Sequence, residues 1–272
     1  MRRSVVLLLI AFSAFVSTKW IDAEVCSPLQ NVCFGIVNDE PVNGTAKRYL
    51  SIIGDDNNYV SLSNLDLKAN SKPLSSMTPQ ERLQLSISKD ESLTIFKPLV
   101  RCVNTSIANR PLDVLSIGLG AGSVDFYLNN LPHRPNLTSV ELDPTMKTIA
   151  TKYFGLVEDD LYRIVIDSGI DYLNKTAEEG ATFHAIIVDA CGNDVDVDII
   201  CPPEAFLTKN LPELLKKTLK PGGAVSMNLR AQYWAQKPLQ KLITDFKSVF
   251  GMDKCSTENM GWSNIVITCI RS

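Results

Sequence analysis

The chain has 272 residues, is 45% hydrophobic and 21% charged, and carries a formal net charge of −3 at pH 7. This is the composition of a folded globular protein, one large domain or a domain with a small appendage, and not of a disordered or fibrous chain. The slightly negative balance gives no electrostatic basis for a nucleic-acid partner or for docking on an anionic membrane.

The first element is an apolar leader. Arg2 and Arg3 precede the run Val5–Val16, and Ile21 and Ala23 are spaced as a cleavage point. That layout is a secretory signal over residues 1–23. The run is shorter than the roughly 18–20 residues a spanning helix needs, so no stable membrane span is expected. Residues 24–110 are expected to form an N-terminal extension. Within it, 24–44 are read as irregular. "KRYLSII" and "YVSLSNL" flank "GDDNN" as a β-hairpin, and 66–77 are a polar loop. The stretch 78–103 is read as a strand through Leu83, Leu85 and Ile87, then a helix around Phe96, Leu99 and Val100 that Pro98 disturbs.

From 111 to 272 strands and helices alternate. "DVLSIG", "LTSVEL", "YRIVID", "HAIIVDA" and "GGAVSMNL" read as strands. A helix follows each of the five, the last being "AQKPLQKLITDFKSVF", with Asp143 and Ser168 as caps and Pro144 in a first turn. "PEAFLTKNLPELLKKTL" reads as a helix interrupted by Pro212, and "MDKCST" and "NIVITCI" as a final antiparallel pair. The fold class is therefore α/β, a doubly wound, Rossmann-like parallel sheet with a small N-terminal hairpin region.

In such sheets ligands sit beyond the carboxyl ends of the strands. Gly118, Gly120 and Gly122 follow the first strand of this region, where glycine permits a sharp turn and close approach of a ligand. Glu141, Asp167 and Asp189 end the next three strands, at the same edge. One such carboxylate is commonly a cap or turn former, but three in register beside a glycine loop suggest a nucleoside site. "GLGAGS" has no basic residue to meet a pyrophosphate. A nucleoside with a cationic sulfonium, S-adenosylmethionine or its decarboxylated form, suits this acidic edge better than a dinucleotide.

With "IGLGAGS", "VELDPTMKTIATKYFG", "DSGIDYL", "IIVDA", "CPPEAFL" and "MNL" in this order, residues 113–230 resemble a class I S-adenosylmethionine-dependent methyltransferase of the spermidine-synthase-like group. Within that group the likeness is to the C-terminal half of the elongation-factor-1-alpha methyltransferases of the methyltransferase-like thirteen type. The resemblance implies a seven-stranded sheet with its last strand antiparallel. It implies cofactor contacts at Gly118, Gly120 and Gly122, ribose contact at Glu141 and adenine contact at Asp167. Asp189 would face the reactive end as the catalytic candidate, with a protein or small amine as acceptor. Polyamine synthases of the group usually carry Asp where this chain has Ala121, and Asp-Ser-Ser/Thr-Asp-Pro where it has "DACGND". Aminopropyl transfer is therefore the weaker alternative, and a non-catalytic secreted nucleoside-binding scaffold is another.

Four Asn-x-Ser/Thr sequons, at Asn43, Asn104, Asn136 and Asn174, accord with export. So do seven cysteines, of which Cys26 with Cys33 and Cys255 with Cys269 are local disulfide candidates. Cys201 falls in a stretch shared with an intracellular family and need not pair. With no Cys-x-x-Cys and only His133 and His184 as imidazoles, no metal site is expected. Neither the acceptor nor the oligomeric state is legible.

Overall fold

The computed structural model describes residues 19–42, 45–54, 59–67, 72–89, 97–105, 112–192, 194, 196–261 and 264–272. Most of the expected leader and the sequon at Asn43 lie outside the described residues. Two sheets are formed. The first is antiparallel, with strands β1 (Lys19–Ser27), β2 (Val32–Val42), β3 (Thr45–Ile52) and β4 (Tyr59–Asn64) in that order. β3 and β4 are the expected hairpin. The irregular stretch expected at 24–44 instead holds the last four residues of β1 and all of β2. Its strand period is disguised because Asn38 and Asp39 are buried alongside Phe34 and Ile36. Cys26 and Cys33 face each other across the pair and are joined by a disulfide.

A buried polar network fixes this sheet. Asp22 pairs with Arg82 at 2.6 Å and accepts from Asn38 Nδ2 at 2.6 Å. Arg48 is fully buried and donates to Asn38 Oδ1 and to the carbonyls of Arg82 and Tyr153. Lys19–Ala23, the end of the expected leader, are thus the first part of β1 and supply the network's carboxylate.

The strand expected through Leu83 is a short helix, α1 (Pro79–Leu83). Thr78 and Glu81 form a capping box with Pro79 in the first turn, and this local signal outweighs the apolar alternation. Only Ile87 makes a strand-like bridge, to Leu65. The helix expected around Phe96, Leu99 and Val100 is not formed there: 97–100 are a turn, Phe96 lies outside the described residues, and the helix, α2, covers Arg101–Thr105.

The second sheet carries β5 (Asp113–Ile117), β6 (Asn136–Glu141), β7 (Tyr162–Ile166), β8 (Phe183–Val188), β9 (Ile199–Cys201), β10 (Leu219–Ala231), β11 (Cys255–Gly261) and β12 (Asn264–Ile270). Its order is β11-β12-β10-β8-β5-β6-β7, with β9 beside β10. β10, β8, β5, β6 and β7 are parallel, and β12 runs antiparallel to β10. The helices are α3 (Ser123–Asn129), α4 (Pro144–Tyr153), α5 (Gly169–Glu179), α6 (Leu211–Thr218) and α7 (Gln236–Phe250).

Alternate strand residues feed two cores, as a period of two requires. Leu115, Ile186 and Val225 face Leu173, Leu215 and Phe246 of α5, α6 and α7. Val114, Ala185 and Ala224 face Val103, Leu128 and Ala150 of α2, α3 and α4. A third cluster joins Phe34, Ile36 and Leu50 of the first sheet to Met146 and Ile149 of α4.

Pro212 does not interrupt a long helix. It sits in the first turn of α6, where its missing N–H costs nothing, and residues Glu204–Phe206 are a separate 3-10 turn. Cys201 does pair: it bonds Cys191, and Cys255 bonds Cys269. The seventh cysteine, Cys102, is a thiol inside the second core. Among the described residues no helix is long and apolar enough to cross a bilayer.

Candidate nucleoside-binding site

The carboxyl edge of the parallel strands brings the sequence-derived candidates into one row. The register pairs Ile117 with Val188 and with Val140, Glu141 with Ile166, and Met227 with Val188. Reading across β10, β8, β5, β6 and β7, the row is therefore Asn228, inside β10, followed by residues at or just past the strand ends: Asp189, Gly118, Glu141 and Asp167. The backbone ties them: Gly118 N donates to Val140 O, Asp189 N to Ile117 O and Asp167 N to Glu141 O, at 2.8 to 3.0 Å.

The glycine loop between β5 and α3 follows from close packing. Gly118, Gly120 and Gly122 all have left-handed φ values. A Cβ on Gly118 would lie 2.6 Å from the carbonyl oxygen of Asp189, and one on Gly122 would collide with Leu156. The room these glycines provide is thus taken by protein atoms. Above the loop lies β4, whose Ser61 Oγ accepts Ala121 N–H at 2.9 Å.

Glu141 is buried and braces the loop. Its two oxygens accept Leu119 N and Asp143 N, and burial holds its carboxyl above the usual range. Asp167 accepts Ser168 N at 2.8 Å at the start of α5. Asp143 caps α4 through Thr145 N and receives Ser27 and Gln30 from the first sheet. Two apolar side chains stay exposed among these carboxylates: Leu142 at 60% and Ile166 at 41%. Leu142 directly follows Glu141 and Ile166 directly precedes Asp167. Sequence reasoning passed over both, though Leu142 stands between two acidic residues in "ELD".

Toward β10, Asp189 is partly buried, and burial pushes its carboxyl up to about 6. Asn228 Nδ2 donates to its Oδ1 at 2.9 Å. Beneath the row, Asp125 of α3 is buried with Ser139 Oγ and Tyr162 OH donating to it, and its carboxyl too is pushed up to about 6, chiefly by burial. After Asp189 the Cys191–Cys201 disulfide closes a loop bearing Asp194, Asp196 and Asp198. A cavity of about 300 Å³ lies at the opposite, amino edge, lined by Asp113, Asn136, Arg163, Tyr172 and Lys175 among others.

A parallel sheet of this order, with a glycine turn after its first strand and acidic residues ending the next three, defines the class I methyltransferase type of fold. The chain belongs to the spermine/spermidine synthase domain family, whose model matches residues 96–258, more than half of its length. It is 33% identical over 117 residues to the eEF1A lysine and N-terminal methyltransferase homolog of Drosophila melanogaster, covering 43% of this chain and 17% of that protein. The chain thus spans less than a fifth of the length of that relative. Human methyltransferase-like protein 13, solved in complex with SAH, superposes with a TM-score of 0.55 at 25% identity, over 65% of this chain and 79% of the other. A probable spermidine synthase from Corynebacterium glutamicum superposes with a TM-score of 0.60 over 91% of this chain and 79% of the other; at 16% identity this is a likeness of fold.

Proposed function

We propose that the chain binds S-adenosylmethionine at this edge and transfers its methyl group to an amine, on a protein acceptor, in the secretory pathway. The observation that carries the reading is the strand-end row itself: Glu141 and Asp167 as hydrogen-bond acceptors, with exposed Leu142 and Ile166 between them. These residues fit a nucleoside. Glu141 keeps lone pairs beyond the two backbone bonds it accepts, as a ribose diol requires, and the apolar pair suits an adenine ring. When bound, the cofactor supplies an electrophilic methyl group on a sulfonium. Asp189, ionised above about pH 6, holds the amine and takes up its proton. The relative crystallised with SAH supports the cofactor, and the relatives named as lysine and N-terminal methyltransferases support an amine acceptor.

The secretory reading rests on the apolar start, the sequons and three disulfides, which persist in oxidising compartments. Because β1 uses Lys19–Ala23, a removed leader ends before Lys19 in this reading. Asn136, at the start of β6, and exposed Asn174, on α5, lie away from the strand-end row, so glycans there leave it open.

Aminopropyl transfer has one observation in its favour: the spermidine-synthase fold extends over the first sheet as well. Against it stand Ala121 and the disulfide-closed loop after Asp189. The test is calorimetric titration with S-adenosylmethionine and its decarboxylated form, followed by radiolabelled methyl transfer to secreted protein fractions. Preference for the methionine form together with transfer supports the proposal. Preference for the decarboxylated form redirects it to polyamines, and binding without turnover leaves the scaffold reading.

A further inference from the structure

The cavity of about 300 Å³ at the amino edge lies at the opposite end of the strands from the nucleoside row, and two of its lining residues, Asn136 and Thr138, belong to one Asn-x-Thr sequon. Its volume is at the lower end of ligand-sized cavities, about 300–1,000 Å³. Asn136 opens β6 and is half-buried. Thr138 is two residues further along the strand, on the same face, and is 2% exposed.

The Asn136 amide is held in one orientation. Lys220 Nζ donates to Asp113 Oδ2 at 2.6 Å, and Asn136 Nδ2 donates to Asp113 Oδ1 at 3.0 Å. An ionised carboxylate only accepts, so it is the amide nitrogen that faces it. That nitrogen has two hydrogens, and the bond to Asp113 uses one. The other is donated to no described residue. A sugar carbon in its place leaves the bond to Asp113 intact, so a glycan here costs the fold no hydrogen bond.

The walls suit a sugar. Arg163, Lys175 and Glu179 line the cavity without a hydrogen-bond or ion-pair partner among the described residues. They offer donors and acceptors to hydroxyl and acetamide groups. Tyr172, half-buried, adds an aromatic surface. Charges of both signs suit a neutral polyhydroxyl ring better than a polyanion or a lipid.

We propose that Asn136 carries an N-linked glycan whose first N-acetylglucosamine is seated in this cavity, which shields its linkage to the protein. The inference rests on the secretory reading above and goes beyond it in naming the modified residue and the seat. In the transfer, Asn136 Nδ2 attacks C1 of the sugar of a lipid-pyrophosphate-linked oligosaccharide. The N–C1 bond forms, the C1–O bond breaks with its electron pair going to the pyrophosphate, and the amide loses one proton. Because Thr138 is buried and Asn136 is tied into β6, the transfer precedes closure of the sheet. Asn174, exposed on α5, is the contrasting site, its glycan standing in solvent.

The experiment is glycosite mapping by mass spectrometry of the full chain, expressed with its own leader in a eukaryotic host, with peptide-N-glycosidase digestion of native and denatured protein. Asn136 is expected to be occupied. Release of its glycan should be slower by about tenfold or more in native than in denatured protein, whereas a glycan on Asn174 is released readily from both. Arg163→Ala, at an exposed position, should speed native release at Asn136 and leave the melting temperature unchanged. A bare Asn136 in secreted protein overturns the inference, as does native release from Asn136 at the denatured rate. If the chain stays inside the cell with every sequon bare, the secretory reading falls and the inference with it.

Discussion

Ser61 of β4 and Ala121 of the glycine loop are joined by a 2.9 Å hydrogen bond from the Ala121 backbone N–H to Ser61 Oγ. Ser63 and Ser123 meet nearby at 3.1 Å, and Ser27 and Gln30 reach Asp143. The first sheet is therefore a roof on the loops of the second. Ser61→Ala leaves a partly buried N–H without its acceptor, at a cost of about 1–3 kcal/mol. Denaturant melts should show that loss together with weaker nucleoside binding, while the exposed Lys72→Ala control shifts stability by less than about 0.5 kcal/mol.

Asp22 gives a sharper test of where the folded chain begins. A chain starting at Lys19 keeps the Asp22–Arg82 pair, and one starting at Glu24 loses it and leaves Arg82 buried without a carboxylate. Removing one partner of a buried pair costs about 3–5 kcal/mol. Thermal melts of the two truncations should differ accordingly, and Asp22→Ala in the longer one should reproduce most of the difference.

Asp125 makes stability depend on pH with a definite sign. Its carboxyl is raised in the folded protein to about 6, by burial first and by the charge of Glu141 in addition, so the native state binds the proton more tightly than the unfolded chain. The stabilisation is complete below about pH 4 and fades as pH rises to about 6. For a shift of this size the change is on the order of 3 kcal/mol. Urea melts at pH 4.5, 5.5 and 7.5 should therefore show wild type losing stability relative to Asp125→Asn as pH increases. Asp189 adds a fall of the same sign, which the variant keeps.

Joining Cys191 to Cys201 restrains the loop that follows Asp189. Replacing both by serine should lower stability by about 2–4 kcal/mol. Because the disulfide constrains the loop on the Asp189 side of the row, SAH affinity should stay near wild type while methyl transfer falls, read by calorimetry and by radiolabel.

The parallel sheet was legible because β5, β6, β7 and β8 are short apolar runs ended by glycine or a carboxylate, and Asp143 and Ser168 announce their helices. β1 and β2 were not, since Asp22, Asn38 and Asp39 stand where apolar residues would mark a buried strand, and their partners Arg48 and Arg82 are distant in sequence. The site was legible to the same extent. Glu141, Asp167 and Asp189 are read from strand ends, whereas Leu142 and Ile166 acquire meaning from exposure, and Asn228 from its register beside Asp189. The glycines carried a ligand signal in the sequence, yet their immediate neighbours are Asp189, Ser61 and Leu156. Cys191 and Cys201 gave no spacing cue, because β9 brings them together through its pairing with β10.

The most direct test of the central claim is calorimetric titration of the glycosylated protein with SAH, in wild type, Leu142→Ser and Glu141→Gln. Leu142 is exposed, so its replacement should leave the melting temperature in place. The account predicts saturable binding in wild type, weakened about tenfold or more by each substitution, equivalent to about 1.4 kcal/mol. No binding in wild type, or binding indifferent to both substitutions, would contradict a nucleoside site at this edge.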